Sequence, residues 1–529
     1  GKRVCVNSVP WVRIPPSPHQ DKLFYTFINL HTGETVMNFS KSHWLELLGK
    51  IIIHNQAFIN NRFVGSVSGE TYDTFNPYTG ERITKISSCT QEDVDLAVKA
   101  ARDSFNSGIW SDLHPRERKD AMLKLCELMQ EKHQEFALLE SISMGKPVMD
   151  AFNIDVPGAI GCFKWYAEAI DKIYDEIAPT DKNNIAMIRR EPVGVVAAVI
   201  PWNFPLDLAA WKLAPSLITG NSVILKPDPR SSLTALLLAD LAQKAGIPPG
   251  VINVITGVGP DVGKALGEHM DVNCLTFTGS TAVGKCFMKY AGNSNMKQVW
   301  PETGGKSPNL IFADCDLDTA VEMAAFGIFF NQGEVCSANS RILVDNKIKN
   351  KFIEKFHDIA KSMIVGDPLE PDTQVGAMID KTHTDKVCNF IDEALKQGAS
   401  LVCGGRKTNI DVQVKPTILN NVTSDMAIAR EEVFGPVAAI IGFDSEDEAV
   451  QIANDSIYGL AASVWTSNLN CAHRVAQKLQ AGSVSVNTMD ALDCATPFGG
   501  FKQSGFGKDL SLHAIEKFTQ LKTIWIKLV

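Results

Sequence analysis

No apolar run in this chain of 529 residues is long and clean enough to cross a bilayer as a plain helix. The longest, Val193 to Leu213, is broken by Pro201, Asn203, Pro205, Asp207 and Lys212. A basic excess is absent too: 51 Lys and Arg stand against 60 Asp and Glu, for a net charge of −9. That excludes a general nucleic-acid binder and argues against a membrane-bound protein. The 12 cysteines contain no CxxC pair and keep no regular spacing, so neither a zinc ribbon nor a disulfide framework is readable. HExxH, EF-hand and P-loop motifs are missing, and no metal site is expected. Free thiols in a reducing compartment, the cytoplasm, follow as the expectation.

What is present is ample apolar mass. A 45% hydrophobic and 21% charged composition fits a globular chain with a large core. At about 150 residues per domain the length suggests three or four compact units. Residues 1–36 stand apart, with three prolines crowded into Ile14-Pro15-Pro16-Ser17-Pro18 and no periodic apolar face. We expect them to be an extension outside the fold, with Met37 as the natural start. Asn38 to Ile53 carries apolar residues at helical spacing, Trp44, Leu45, Leu47, Leu48 and Ile51.

From about Phe58 onward, strand-like and helix-like segments alternate. Val193–Ile200, Ser222–Leu225 and Val251–Ile255 read as buried strands, with helices over Ser232 to Ala245 and Asp261 to His269. The rhythm returns at Asn309–Ala313, Leu317–Phe330 and Arg341–Val344. This order implies an α/β fold with parallel sheets covered by helices, and ligands beyond the C-terminal strand ends.

Two loops have the look of phosphate cradles. Gly257-Val258-Gly259-Pro260-Asp261-Val262-Gly263 is spaced GxGxxxG rather than GxGxxG, and a plain strand-to-helix turn explains it equally well. Phe277-Thr278-Gly279-Ser280 leads from a strand into a helix whose first N–H groups suit a pyrophosphate. Four further clusters carry chemistry. Pro201-Trp202-Asn203-Phe204-Pro205 puts an amide at a strand end, and Glu302-Thr303-Gly304-Gly305 puts a carboxylate beside two glycines. Asn331-Gln332-Gly333-Glu334-Val335-Cys336 sets a thiol 34 positions past that carboxylate, and Glu431-Glu432-Val433-Phe434-Gly435-Pro436 joins acid to aromatic.

In their order and spacing these clusters, from about Phe58 to Val529, closely resemble the aldehyde dehydrogenase superfamily. Lys164 to Lys172, Asn331 to Cys336 and Ser511-Leu512-His513-Ala514 resemble most the bacterial aminoaldehyde-type members, such as the γ-glutamyl-γ-aminobutyraldehyde and guanidinobutyraldehyde dehydrogenases. The resemblance implies a Rossmann-type cofactor domain (37–172 and 193–304), an α/β catalytic domain (305–517) and a small β oligomerisation element (173–192 and 518–529). It also implies a homodimer or homotetramer.

Oxidising an aldehyde by hydride loss needs a tetrahedral adduct, which a cysteine thiolate forms as a thiohemiacetal. The adduct's oxyanion needs fixed donors, and the thioester left behind needs a base to activate water. The resemblance assigns Cys336 as nucleophile, Asn203 with the Cys336 N–H as oxyanion donors, and Glu302 as base. Lys212 would help relay the proton. For NAD, with NADP also possible, it assigns Trp202, Lys226, Gly259, Ser280, Glu432 and Phe434. One departure concerns the run Lys226-Pro227-Asp228-Pro229-Arg230, where Pro229 replaces the glutamate that usually takes the adenosine ribose hydroxyls. Asp228 could substitute for it, and Lys226 and Arg230 could receive a 2′-phosphate.

For the substrate, Asp207, Trp211, Asp155, Asp493 and Phe498 are the expected tunnel residues. Three acids there would favour an ω-amino or guanidino aldehyde, unless each is a solvated loop residue or a helix cap. Thr488 and Met489 stand where the nearest relatives tend to carry a glutamine and an aromatic ring. A broad-specificity aldehyde dehydrogenase is the alternative. A non-catalytic member of the fold would have no reason to keep Asn203, Glu302 and Cys336 together, and a redox-inactive thioester hydrolase would leave both phosphate-type loops unexplained.

Overall fold

Small and β-branched residues make Val195–Val199 a strand that can be buried on both faces, and it forms the centre of a seven-stranded sheet. Parallel neighbours follow on one side as Ser222–Lys226 and Ile252–Val254, and on the other as Cys274–Thr278 and Gln298–Glu302. The antiparallel strands Ala57–Ile59 and Arg62–Val64 complete the edge. Numbered along the chain, the five parallel strands run 5-4-1-2-3. The order reverses between Val195–Val199 and Cys274–Thr278, which opens a crevice past their C-terminal ends.

A second seven-stranded sheet is built from Pro308–Ile311, Arg341–Asp345, Thr417–Asn420, Val437–Phe443, Ala461–Trp465 and Ser483–Val486, all parallel, with Ser400–Cys403 antiparallel at one edge. Thr519–Lys527 pairs along its whole length with Asn184–Pro192, and Glu176–Ala178 adds a third strand. Among the described residues the outer edge of Thr519–Lys527 is unpaired, with Leu521, Trp525 and Ile526 exposed.

The computed structural model describes residues 39–528, so the expectation for residues 1–36 falls outside the described residues. Beyond the first helix, the strands and helices expected from the sequence form within two residues of their anticipated ends. The amphipathic helix expected from Asn38 is shorter, Lys41–Leu48, because Gly49 ends it, and only its Trp44 is buried. Ser40 onward forms one compact unit. The reason is interleaving: Tyr166 donates to the Ser511 carbonyl (2.9 Å), Asn221 Nδ2 to the Phe518 carbonyl (2.9 Å), and Glu302 bridges to Gly505. Among the described residues no helix is long and apolar enough to cross a membrane.

Candidate active site

A cavity of about 550 Å³ lies beyond the C-terminal ends of the first sheet's parallel strands, and Asn203, Glu302 and Cys336 all line it. Each arrives on a different element. Asn203 follows the strand Val195–Val199 and Glu302 closes the strand Gln298–Glu302, while Cys336 follows a tight turn after the helix Leu317–Phe329. In that turn Asn331, Gln332 and Gly333 are left-handed in succession, with φ of 49°, 56° and 69°. Two non-glycine residues in this region are costly and persist only where the surroundings impose them. Here Asn331 Nδ2 donates to the carbonyls of Asn203 and Glu334, both at 3.2 Å, and Asn203 Nδ2 donates to the Glu334 carbonyl at 2.9 Å. Gly333 has no alternative, since a Cβ there would sit 2.3 Å from the Gly435 carbonyl oxygen.

The glycines after Glu302 serve close approach. A Cβ on Gly305 would meet the Cys336 carbonyl oxygen at 2.3 Å, and one on Gly304 the Glu432 carboxylate at 2.2 Å. That carboxylate accepts from the Gly305 N–H at 3.0 Å. Burial, with the carboxylates of Asp490, Glu432 and Glu302, pushes the Cys336 thiol well above its usual range. Neither oxygen of Glu302 has a hydrogen-bond partner among the described residues, and burial followed by the Asp509 charge pushes its pKa up to about 8. A buried carboxyl poised near neutrality is what general base chemistry asks for.

Lys212 does not line the cavity. It is buried behind the wall and paired with Asp509, which does line it and which also pairs with Lys517. Burial holds the Lys212 ammonium down, and the two lysines hold Asp509 ionised.

Trp202, Gly279, Ser280, Glu432 and Phe434 line the same cavity. Ser280 caps the helix Thr281–Asn293, accepting from the Val283 N–H at 3.3 Å, and is itself exposed. The Trp202 ring packs edge-on to Phe434 (5.4 Å) and lies under the Arg230 guanidinium (5.2 Å). Flat rings and a helix N-terminus at the reversal of strand order fit a dinucleotide. Lys226 and Gly259 are not on the wall. Lys226 ends the strand Ser222–Lys226, donating to the Pro227 carbonyl at 3.2 Å, and Gly259 sits in an exposed left-handed turn. Asp228 does not stand free to replace the missing glutamate, because Arg230 binds both its oxygens at 2.9 and 3.0 Å. Nor is Arg230 free for a phosphate, since it also binds Asp380 at 2.8 Å.

Of the expected substrate residues, Asp207, Trp211 and Phe498 line the cavity, with Trp211 and Phe498 packed ring edge to face at 5.4 Å. Asp155 and Asp493 do not. Pro157 lacks the N–H that an unbroken helix needs, and Ala151–Asp155 forms a π turn that puts Ile154 on the wall and Asp155 inward, on buried Lys146. Asp493 is exposed and caps its own loop, accepting from the Ala495 N–H at 2.7 Å. Sequence reasoning missed Asp490, which lines the cavity beside Cys336 and accepts from Ser337 Oγ at 2.8 Å. It also missed Phe326 and Phe330, stacked at 5.0 Å. Asp490 and the Asp493 singled out instead belong to the same short loop; the left-handed φ of 42° at Asp490 that sets the loop's course has no sequence signal.

The profile of the aldehyde dehydrogenase family matches residues 63–524. The NADP/NAD-dependent aldehyde dehydrogenase PuuC of Escherichia coli is 48% identical over 93% of this chain and all of that protein. The crystal structure of the aldehyde dehydrogenase KauB from Pseudomonas aeruginosa superposes with a TM-score of 0.92 at 52% identity, covering 93% of this chain and all of that one. An NAD+ complex of indole-3-acetaldehyde dehydrogenase also gives 0.92, at 49% identity and the same coverage. The chain belongs to the aldehyde dehydrogenase family and is an NAD(P)-dependent oxidoreductase of aldehydes.

Proposed function

We propose that the chain oxidises short ω-amino aldehydes to their acids, with Cys336 as nucleophile, Asn203 and the Cys336 N–H as oxyanion donors, and Glu302 as the base of deacylation. The observation that carries the substrate is the acid at the cavity wall. Asp207 Oδ1 is buried without a hydrogen-bond partner among the described residues, and burial and then the Asp155 charge push this carboxyl well above its usual range. Behind it Glu140, Asp150 and Asp155 are raised as well, and Lys146 is the one lysine acting on all four. Such a cluster needs protons or a cation, and a substrate ammonium supplies the cation while its carbonyl reaches Cys336. The aminoacetaldehyde dehydrogenase of Pseudomonas aeruginosa, 43% identical over 92% of this chain and 98% of that protein, supports the same class. So does a γ-glutamyl-γ-aminobutyraldehyde dehydrogenase from Burkholderia cenocepacia, 48% identical over 93% of this chain and all of that one, with a TM-score of 0.91.

The reaction falls to the chain's own groups. Cys336 gives up its thiol proton to solvent water as its Sγ adds to the carbonyl carbon, and the oxygen that gains charge lies against the Asn203 amide, whose remaining N–H is free for it. Trp202, Ser280, Glu432 and Phe434 would hold a nicotinamide dinucleotide, which when bound would supply the hydride acceptor. Glu302 then takes a proton from water as it attacks the thioester carbon, and Cys336 leaves. Asp509 and Lys212 lie next on the way out for that proton. The boundaries 37–172 with 193–304, and 305–517, separate the two large sheets into cofactor and catalytic domains. The open strand Thr519–Lys527 supports a homodimer or homotetramer. A cytoplasmic setting suits free thiols around a cysteine nucleophile.

The test compares kcat/KM for 3-aminopropanal and propanal, in the parent and in Asp207→Leu. We expect the amine to be preferred at least tenfold, a gap of about 1.4 kcal/mol, and the substitution to remove the preference. Equal values unaffected by the substitution would leave a broad-specificity aldehyde dehydrogenase.

A further inference from the structure

One carboxylate in the cavity wall carries two lysines. Asp509 Oδ2 accepts from Lys212 Nζ and Asp509 Oδ1 from Lys517 Nζ, and all three residues are buried. Lys212 comes from the helix Pro205–Ile218 and Lys517 from the end of the short helix Leu512–Lys517. Lys212 has a place on the proton's way out, and Lys517 has none. With both lysines protonated the trio holds one positive charge too many, and an unmatched charge in a buried site is costly. Glu302 is the acid placed to match it. It shares the cavity wall with Asp509, and its Oε1 lies 2.6 Å from where a Cβ on Gly499 would stand. Gly499 follows Phe498, whose backbone pairs with that of Asp509 in both directions, at 2.8 and 2.7 Å.

We propose that Lys517 is a positioning residue of the deacylation step: held by Asp509, it supplies the buried positive charge against which Glu302 gives up its proton. Lys212 then balances Asp509, Lys517 balances Glu302, and the four groups together are neutral when the base is ready to work. The other groups that face the set do not undo this balance. Tyr166, Cys162 and Cys274 are raised by burial and stay neutral. Lys508 is partly exposed, and its ammonium donates to the Gly499 and Gly500 carbonyls at 2.5 and 3.3 Å. Burial and the Asp509 charge hold the Glu302 carboxyl up, while Lys212, Lys517 and Lys508 pull it down. Removing the Lys517 charge takes away one downward pull, so Glu302 must ionise at higher pH.

The test is the deacylation rate of the full-length enzyme against pH, read from the steady phase after the burst of reduced cofactor. In Lys517→Gln and Lys517→Met the rising limb should move up by about one pH unit or more. The rate at pH 7 then falls about tenfold, with KM for aldehyde and cofactor unchanged. Lys517→Arg, which keeps the charge, should put the limb back. A purely structural lysine would lower the rate by the same factor at every pH, so a limb that stays in place in a folded neutral variant overturns the proposal. Insolubility of both neutral variants would overturn it as well, since the ion pair would then be a scaffold contact. Because this role rests on Glu302 being the base, Glu302→Gln runs alongside. A limb that survives in Glu302→Gln refutes that reading of Glu302, whereas a limb lost there but unmoved in Lys517→Gln refutes the role of Lys517 alone.

Discussion

At the scale of single residues the ionisation states set the working range. Glu302 acts as a base only when ionised, and its pKa of about 8 means that it protonates as the pH falls through that value. The steady rate should therefore climb with pH to a plateau above about 8, dropping roughly tenfold per unit below it when deacylation limits turnover. Pre-steady-state kinetics separate the roles. Glu302→Gln should give a burst of reduced cofactor, then a slow rate without that limb, whereas Cys336→Ala should show neither burst nor turnover. Cofactor choice is also a residue matter. Pro229 offers no carboxylate to repel a 2′-phosphate, and Asp228 is neutralised by Arg230. Lys226 stands off the cavity wall, donating to the Pro227 carbonyl at 3.2 Å, and brings no negative charge that would exclude the phosphate. We expect kcat/KM with NADP within about tenfold of that with NAD, a difference of about 1.4 kcal/mol; a preference of hundreds for NAD would refute this.

At the scale of elements the site depends on backbones that touch. Gly305→Ala would drive a Cβ to 2.3 Å from the Cys336 carbonyl oxygen, and the nucleophile loop, tied at Asn331 and Asn203, would have to shift. A displacement of that size at a reacting atom costs on the order of a hundredfold in rate. We expect kcat to fall that far with cofactor affinity little changed, as fluorescence titration would show. Elements also mark what the sequence could tell. The run Val195–Val199 and the ends of Leu317–Phe329 were legible because a buried strand and an amphipathic helix have a composition and a period. Motif order made Asn203, Glu302 and Cys336 legible as well. The inward turn of Asp155 was not, because a π turn shifts every following side chain without leaving a sequence period of its own. Lys226 and Arg230 were legible as residue types, but their hydrogen-bond partners, Pro227 next door and Asp380 far along the chain, are set by tertiary geometry.

For the whole molecule, the nine-residue strand Thr519–Lys527 presents unpaired backbone and the exposed side chains of Leu521, Trp525 and Ile526 along one edge. An edge of that length invites pairing, and a second copy satisfies it without further growth only in a closed assembly. Deleting Thr523–Val529 should convert a dimer or tetramer into monomer or aggregate by light scattering; an unchanged, active oligomer would argue that assembly lies elsewhere. The same C-terminal region has a consequence in time. Glu302 packs against Gly499 and bridges to Gly505, and the Asp509 that pairs with Lys212 comes later still. Chains emerge from the ribosome N-terminus first. The sheet that carries Glu302 is thus synthesised nearly 200 residues before the segment that walls it in. A nascent chain can hold its thiol and its carboxylate and still have no closed chamber to bring them to work. Catalysis has to wait until Gly499 to Asp509 have been made and set against Glu302 and Lys212.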